Sequence, residues 1–335
     1  WSRHEDEVRV HEISHGHADE EAFLSSPFVP IFSGRGGIRR RLSDPDAPLD
    51  FPVLRDLALA GASDYVAMPI TFSDGQIHAI TLATDAPDGF RTEDLGHLHE
   101  ILPLVSRFVE VHSLRHRART LLDTYLGEHT GGRVLDGLIR RGDGEVIPAV
   151  IWWADLRGST TLTEQIPRQA YLSLLNRFFE ATAGAVIDRG GEVLKFIGDA
   201  VLAIFPLRDQ PDAAERALRA AADALARIRK LNAACSGPNA PNIAIALALH
   251  QGDVNYGNIG VAGRLDFTVT GPAVNEVARL EGLSKQLGRS VVASETFAEL
   301  VPGKLESLGV HELRGVKEPR EVFGLPASEV DGADA

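Results

Sequence analysis

The feature that most restricts this chain is a pair of apolar segments, each delivering one carboxylate beside a glycine. Val146 to Trp153 is an almost unbroken apolar run that leads through Ala154 into Asp155-Leu156-Arg157-Gly158-Ser159-Thr160. Glu192 to Phe205 reads as a hairpin whose turn holds Gly198 and Asp199. A buried carboxylate is costly unless something positive meets it, so two of them at strand edges ask for a cation. Hard divalent ions such as magnesium take oxygen ligands, commonly one or two carboxylates plus the phosphates of a substrate. Gly158-Ser159-Thr160 opens a helix, where free backbone N–H groups favour phosphate. Metal, phosphate and a rigid hairpin in one chain point to nucleotide chemistry.

Around these segments the apolar spacing changes between strand and helix. Ala170 to Ile187 carries Tyr171, Leu172, Leu175, Phe178, Phe179, Ala183 and Val186 at helical spacing, and Gly190-Gly191 stops it. A helix is predicted over 212–231, strands over 243–250 and 266–270, and a helix over 272–287. His250 and Asp253 flank a glycine after a strand and read as turn chemistry. Strand, helix, hairpin, helix, strand is the order of an α+β, ferredoxin-like sheet covered by helices on one face.

The first part of the chain has a different texture. Tyr65 to Ile70 and Ile77 to Leu82 flank Ser73-Asp74-Gly75, a hairpin signal. A glycine-containing turn at 85–90 and a helix from Thr92 follow. That order resembles the C-terminal half of a GAF-type sensor domain. Leu104 to Leu126 reads as one long helix without sustained heptads, broken by Gly127, Gly131 and Gly132. The predicted organisation is a GAF-like α/β sensor domain over 1–110, a helical transducer over 111–145 and a catalytic domain over 146–326.

Composition narrows the partners. A net charge of -13 in 335 residues argues against nucleic acid, whose backbone needs a basic face, but leaves room for a small nucleotide. The single cysteine, Cys235, cannot form an intramolecular disulfide, which predicts a reducing, cytoplasmic setting. No apolar run is long enough to span a membrane. Residue 1 is Trp rather than Met, which reads as a truncated or processed start. Lys195 is the first lysine in the chain, alone in an apolar strand.

Residues 146–326 resemble the catalytic domain of class III adenylate and guanylate cyclases. The resemblance is carried by Asp155-Leu156-Arg157-Gly158-Ser159-Thr160, by Gly191 to Ala200, and by Thr268-Val269-Thr270-Gly271-Pro272-Ala273-Val274-Asn275 followed by Arg279. It implies that Asp155 and Asp199 bind two Mg²⁺ (or Mn²⁺) ions, with the Leu156 carbonyl a further ligand. It implies that Gly158, Ser159 and Thr160 hold phosphates, that Asn275 orients the ribose, and that Arg279 meets charge developing on phosphorus. The step from 275 to 279 keeps these two on one helix face. Lys195 and Thr268 would read the base: a lysine serves the N1 acceptor of adenine and a threonine hydroxyl accepts from its 6-amino group. Family guanylate cyclases use Glu and Cys-type replacements there, so ATP is favoured over GTP. Threonine at 268, where many members have Asp, marks a bicarbonate-responsive-like subset. Pro272 departs from a frequent Asp but suits a first helical turn. Arg314 or Lys317 is the candidate triphosphate cation. In this family the metal residues and the base and ribose residues lie on opposite lips of a head-to-tail dimer, so a homodimer is implied, with a small-molecule regulator of the N-terminal domain as a further possible partner.

Three other readings compete. One is a guanylate cyclase, and another is a catalytically silent nucleotide sensor of the same fold, against which the intact metal pair argues. The third comes from His11-Glu12-Ile13-Ser14-His15, which matches the H-E-x-x-H zinc-hydrolase signature literally. That motif needs a helix, whereas Val8 to Ile13 alternates like a strand and Gly16 follows directly.

Overall fold

The computed structural model describes residues 21–208, 210–234, 242–314 and 318–326. It divides into two units that meet between Arg117 and Ala118. His11, Glu12, His15, Cys235 and Lys317 lie outside the described residues. Among the described residues, no helix is long and apolar enough to cross a membrane.

The first unit holds α1 (Glu21–Leu24), α2 (Phe28–Phe32), β1 (Ile38–Arg40), α3 (Pro52–Leu59), β2 (Asp64–Thr71) and β3 (Ile77–Thr84). Its sheet has the order β1-β2-β3, all antiparallel. The β2–β3 turn falls where Ser73-Asp74-Gly75 predicts it, with Asp74 accepting from the Gln76 N–H at 2.9 Å. A small core of Ile31, Leu54, Tyr65 and Ala67 lies under the sheet. Asp64 is fully buried and is met by Arg39 at 2.7 Å and by the Phe90 N–H at 3.0 Å, so a paired charge ties β1, β2 and the turn before the next helix. That helix, α4 (Thr92–Leu126), begins in the first unit and ends in the second, at Gly127.

The second unit continues with α5 (Glu128–Leu135), β4 (Gly144–Leu156), α6 (Ser159–Gln165), α7 (Arg168–Asp188), β5 (Glu192–Ile197), β6 (Ala200–Pro206), α8 (Ala213–Ala234), β7 (Ile245–Val261), β8 (Arg264–Thr270), α9 (Pro272–Leu287), β9 (Val291–Ser294), α10 (Glu295–Ala298), β10 (Glu306–His311) and β11 (Arg320–Gly324). The sheet runs β10-β11-β9-β7-β4-β6-β5, with β8 paired to the far part of β7. β9 is parallel to β7, and the other pairings are antiparallel.

Two expectations need correction. Helices cover both faces of this sheet rather than one. Val150, Trp152, Ala154 and Leu156 face α7 and α8, while Ile147, Ala149 and Ile151 face α9. The unbroken apolar run of β4 is the reason, because a central strand apolar on both faces must be covered on both. Second, His250 and Asp253 are not turn residues. β7 runs straight through Gly252 and stays paired with β4, Ala149 opposite Gly252 and Pro148 opposite Asp253. The glycine serves close approach: a Cβ there would stand 2.7 Å from the Cβ of Ala273 on α9.

Gly252→Ala is therefore expected to force α9 off the sheet and lower stability by about 1–3 kcal/mol. Chemical denaturation of the full chain checks this, and an unchanged midpoint would contradict the packing described.

Candidate active site

Register places the two carboxylates. Asp155, next to last in β4, sits opposite Ala200 on β6 and opposite Ala246 on β7. Ile197 on β5 is also paired with Ala200, so Gly198 and Asp199 form a two-residue turn, with Gly198 left-handed at φ 64°. Asp199 is thus the neighbour of Asp155's cross-strand partner, and both stand at one end of adjacent strands. Tyr171, near the start of α7, registers both. Burial first, then the charges on Asp199 and Asp155, push its hydroxyl above its ordinary pKa. Leu156 is buried, and since its side chain has no donor atom it could offer a metal only its backbone carbonyl.

Beyond Leu156 the chain turns at Gly158, left-handed at φ 68°, into the two-turn α6 with no side-chain cap. Ser159 and Thr160 therefore present first-turn N–H groups without an intrahelical partner. Arg157 anchors this turn by donating to the Ser284 carbonyl at 3.0 Å, to Ser284 Oγ at 3.2 Å and to the Arg289 carbonyl. These acceptors lie at or just beyond the C-terminal end of α9, where the helix dipole favours a cation.

Asp155 already has a positive partner. Lys285 Nζ lies 2.5 Å from its Oδ2 and 2.9 Å from Oε1 of Glu281. Burial opposes the charge on Lys285, but the two carboxylates outweigh it and hold the ammonium above its ordinary pKa. Glu281 is itself pushed up by burial.

On the other side of the hairpin, Lys195 Nζ lies 2.8 Å from Oδ2 of Asp266 on β8. The bond to Lys195 holds the Asp266 carboxyl below its usual range. Asp266 and Thr268 are two apart on one strand and so share a face, which puts Lys195 beside the face that carries Thr268. Thr268 is buried.

Asn275 and Arg279 lie nearer the start of α9, away from the end of the helix that contacts Asp155. Neither side chain has a hydrogen-bond partner among the described residues. Lys285, which touches Asp155, lies on the same helix α9. At about 1.5 Å and 100° per residue, Arg279 is about 9 Å from it along the axis and about 120° around, and Asn275 about 15 Å and about 80°. One copy of α9 therefore turns its C-terminal end to Asp155 and a different face, nearer its start, elsewhere. Arg314 is exposed.

Sequence reasoning missed Tyr171, Asp266, Glu281 and Lys285. Glu281 and Lys285 form an i, i+4 pair that the sequence displays. Nothing local says that Lys285 reaches a residue 130 positions away. It also missed a buried anchor beneath the hairpin. Glu192, the first residue of β5, accepts from Thr130 of α5 at 2.6 Å and from the Tyr256 hydroxyl at 2.7 and 2.8 Å, all three buried. Burial first, then the Glu192 charge, push the Tyr256 hydroxyl well above its ordinary pKa.

The donor set fits a hard divalent ion. The expected ligands, the Asp155 and Asp199 carboxylates and the Leu156 carbonyl, are oxygens only, a set that would suit an ion that keeps positions for water and substrate phosphate. Among the described residues, no group of three His, Cys, Asp or Glu side chains gathers into a site that would suit zinc.

A family model described as the adenylate and guanylate cyclase catalytic domain matches residues 145–325, more than half of the 335. The chain belongs to that family. The cyclase match lies wholly within the second unit. An adenylate cyclase of Anabaena cylindrica is 32% identical over 182 residues, which cover 49% of this chain and 36% of that protein. Adenylate cyclase 1 of Rhizobium meliloti is 26% identical over 288 residues, 81% of this chain and 42% of that protein. The chain thus spans well under half the length of these curated relatives. Among solved structures, a bacterial light-regulated adenylyl cyclase aligns with a TM-score of 0.56 at 26% identity, over 67% of this chain and 65% of that one.

The buried anchor can be tested apart from activity. Thr130→Val removes one donor from a buried carboxylate and should cost about 1–3 kcal/mol of stability. Tyr256→Phe, which removes the hydroxyl lying within 2.8 Å of both oxygens, should cost more, as read by denaturant midpoint. Equal or negligible losses would show that Glu192 is not held as described.

Proposed function

We propose that the second unit is an adenylate cyclase that converts ATP to 3′,5′-cyclic AMP and pyrophosphate. The observation that carries this reading is the meeting of Asp155 and Asp199 at the end of β4 and the β5–β6 turn, in a domain of the cyclase family. Asp155, Asp199 and the Leu156 carbonyl would hold two Mg²⁺ or Mn²⁺ ions. When bound, these metals lower the pKa of the ribose 3′-hydroxyl and neutralise the triphosphate as the α-phosphorus is attacked. The N–H groups at Gly158, Ser159 and Thr160 hold phosphate oxygens, with Arg314 or Lys317 as a further cation.

The base is read from the other side of the hairpin. Lys195 donates to N1 of adenine and the Thr268 hydroxyl accepts from the 6-amino group. Support comes from Asp266, which holds the Lys195 ammonium beside the β8 face that carries Thr268. Guanine presents the opposite pattern at these two positions.

Asn275 orients the ribose and Arg279 meets charge on the pentacovalent phosphorus, both supplied by the second protomer of a head-to-tail homodimer. The helix geometry of α9 supports this, since Asn275 and Arg279 project from a different part and face of the helix than Lys285, which reaches Asp155. Phe196 and Ile197, apolar and exposed on the hairpin between Lys195 and Asp199, offer contact area for the partner.

The first unit is read as a GAF-like input domain (residues 1–110) acting through the helical segment 111–145. A cleft of about 930 Å³ between Phe28, Leu57, Tyr65 and Leu82 is where a small regulator would bind. A cytoplasmic setting remains part of this reading.

Incubating the full chain with ATP or GTP, each with Mg²⁺ or Mn²⁺, should yield cyclic AMP in preference to cyclic GMP. A folded chain that makes neither product would leave the silent nucleotide sensor as the better reading. Asp155→Ala and Asp199→Ala should each lower turnover by about 10²–10³-fold or more, with the fold retained. The pair Lys195→Glu with Thr268→Cys should shift preference toward GTP, and no shift would refute the base assignment.

A further inference from the structure

The last turns of α9 carry a charged array that the proposed chemistry leaves unused. Lys285 Nζ is shared between Asp155 Oδ2 at 2.5 Å and Glu281 Oε1 at 2.9 Å. Glu281 is only 8% exposed, and both the Asp155 and the Arg157 charges act on it. The order is carboxylate, ammonium, carboxylate, guanidinium. Lys285 is about half exposed, so its flexible stem can move while Glu281 stays fixed in the core.

We propose that Lys285 is a positioning residue of the metal site, a tethered cation that shares Asp155 with Glu281 and passes wholly to Glu281 when a divalent ion binds Asp155. The inference rests on Asp155 being a metal ligand. An ammonium on Oδ2 and a dication on the same carboxylate would repel each other, and the doubly charged ion would hold the carboxylate more strongly than the ammonium does. Glu281 gives the displaced ammonium a partner already within 3 Å, one helical turn back, so the move needs no backbone change. The same arrangement keeps two nearby carboxylates from repelling each other when the ammonium lies between them. It makes Glu281 a determinant of metal affinity although Glu281 itself need not touch the metal.

The sequence makes the move observable. The chain has five lysines, at 195, 230, 285, 304 and 317. Full-length protein labelled at lysine Cε and Nζ therefore gives at most five side-chain signals, and Lys285→Met identifies the one from Lys285. Titration with Mg²⁺ alone should shift that signal along the same saturation curve that calorimetry gives for binding. Glu281→Gln should weaken Mg²⁺ binding by about two- to tenfold and change the end-point of the Lys285 shift, because the ammonium has lost its destination. A Lys285 signal that stays put while Mg²⁺ binds overturns the proposal. So does an end-point unchanged in Glu281→Gln, which would mean that Lys285 merely senses a nearby ion. Asp155→Asn separates the two levels. If it binds Mg²⁺ as tightly as the parent, the metal assignment itself fails; if binding is lost but the Lys285 result is negative in the parent, only the transfer fails.

Discussion

The pairing of β4 with β6 on one side and β7 on the other is the constraint from which the site in the second unit follows. β4 is buried on both faces, with Val150, Ile151 and Trp152 fully inaccessible, so a slip of one residue would turn every one of these side chains to the wrong layer. Fixing that register fixes where the strand runs out. Asp155 is held opposite Ala200, and the short turn before Ala200 leaves Asp199 no place but beside it. The placing of the two carboxylates is in this sense a by-product of core packing: hydrophobic burial, worth about 25 cal/mol per Å² of apolar surface, determines the position of two groups that contribute nothing to it.

Two cations of the same chain act on Asp155 and on the turn that follows it. Arg157 ties the turn after β4 to the end of α9, and Lys285 on the same helix neutralises Asp155. Beneath the hairpin, the bonds from Thr130 and Tyr256 to Glu192 hold the first residue of β5 to α5 and β7. Thus the strand that carries Lys195 and leads to Asp199 is fastened at its buried start, while Phe196 and Ile197 near its tip are exposed. A buried carboxylate satisfied by two hydroxyls is a stringent joint, since losing either donor leaves it short of a hydrogen bond in the core.

Much of the second unit was legible because its signals are local. The apolar run of β4, the Gly198-Asp199 turn and the period of α7, α8 and α9 each announce their element within a short window. The second helical layer was not legible, since an unbroken apolar strand says that it is buried but not by what. Gln251-Gly252-Asp253 misled for a related reason. Glycine marks either a turn or a close approach, and only the distance to Ala273 tells which. Lys285, Asp266 and Glu192 act through residues far away in sequence, and no spacing rule reaches that far. In the first unit the β2–β3 turn and the start of α4 were readable, while the Arg39–Asp64 pair, which joins strands across 25 positions, was not.

The division of α9 is what makes the proposed site a matter of two chains. Its last turns belong to Asp155 of the same chain, while Asn275 and Arg279 face away with no partner of their own among the described residues. The most direct measurement mixes two inactive variants of the full chain, Asp199→Ala and Arg279→Ala, and assays cyclic AMP formation. If each site is built from two protomers, half of randomly formed dimers carry one intact site, and activity should return to about a quarter of the parent level. A mixture no more active than its separate components, with dimer exchange demonstrated, would contradict the account.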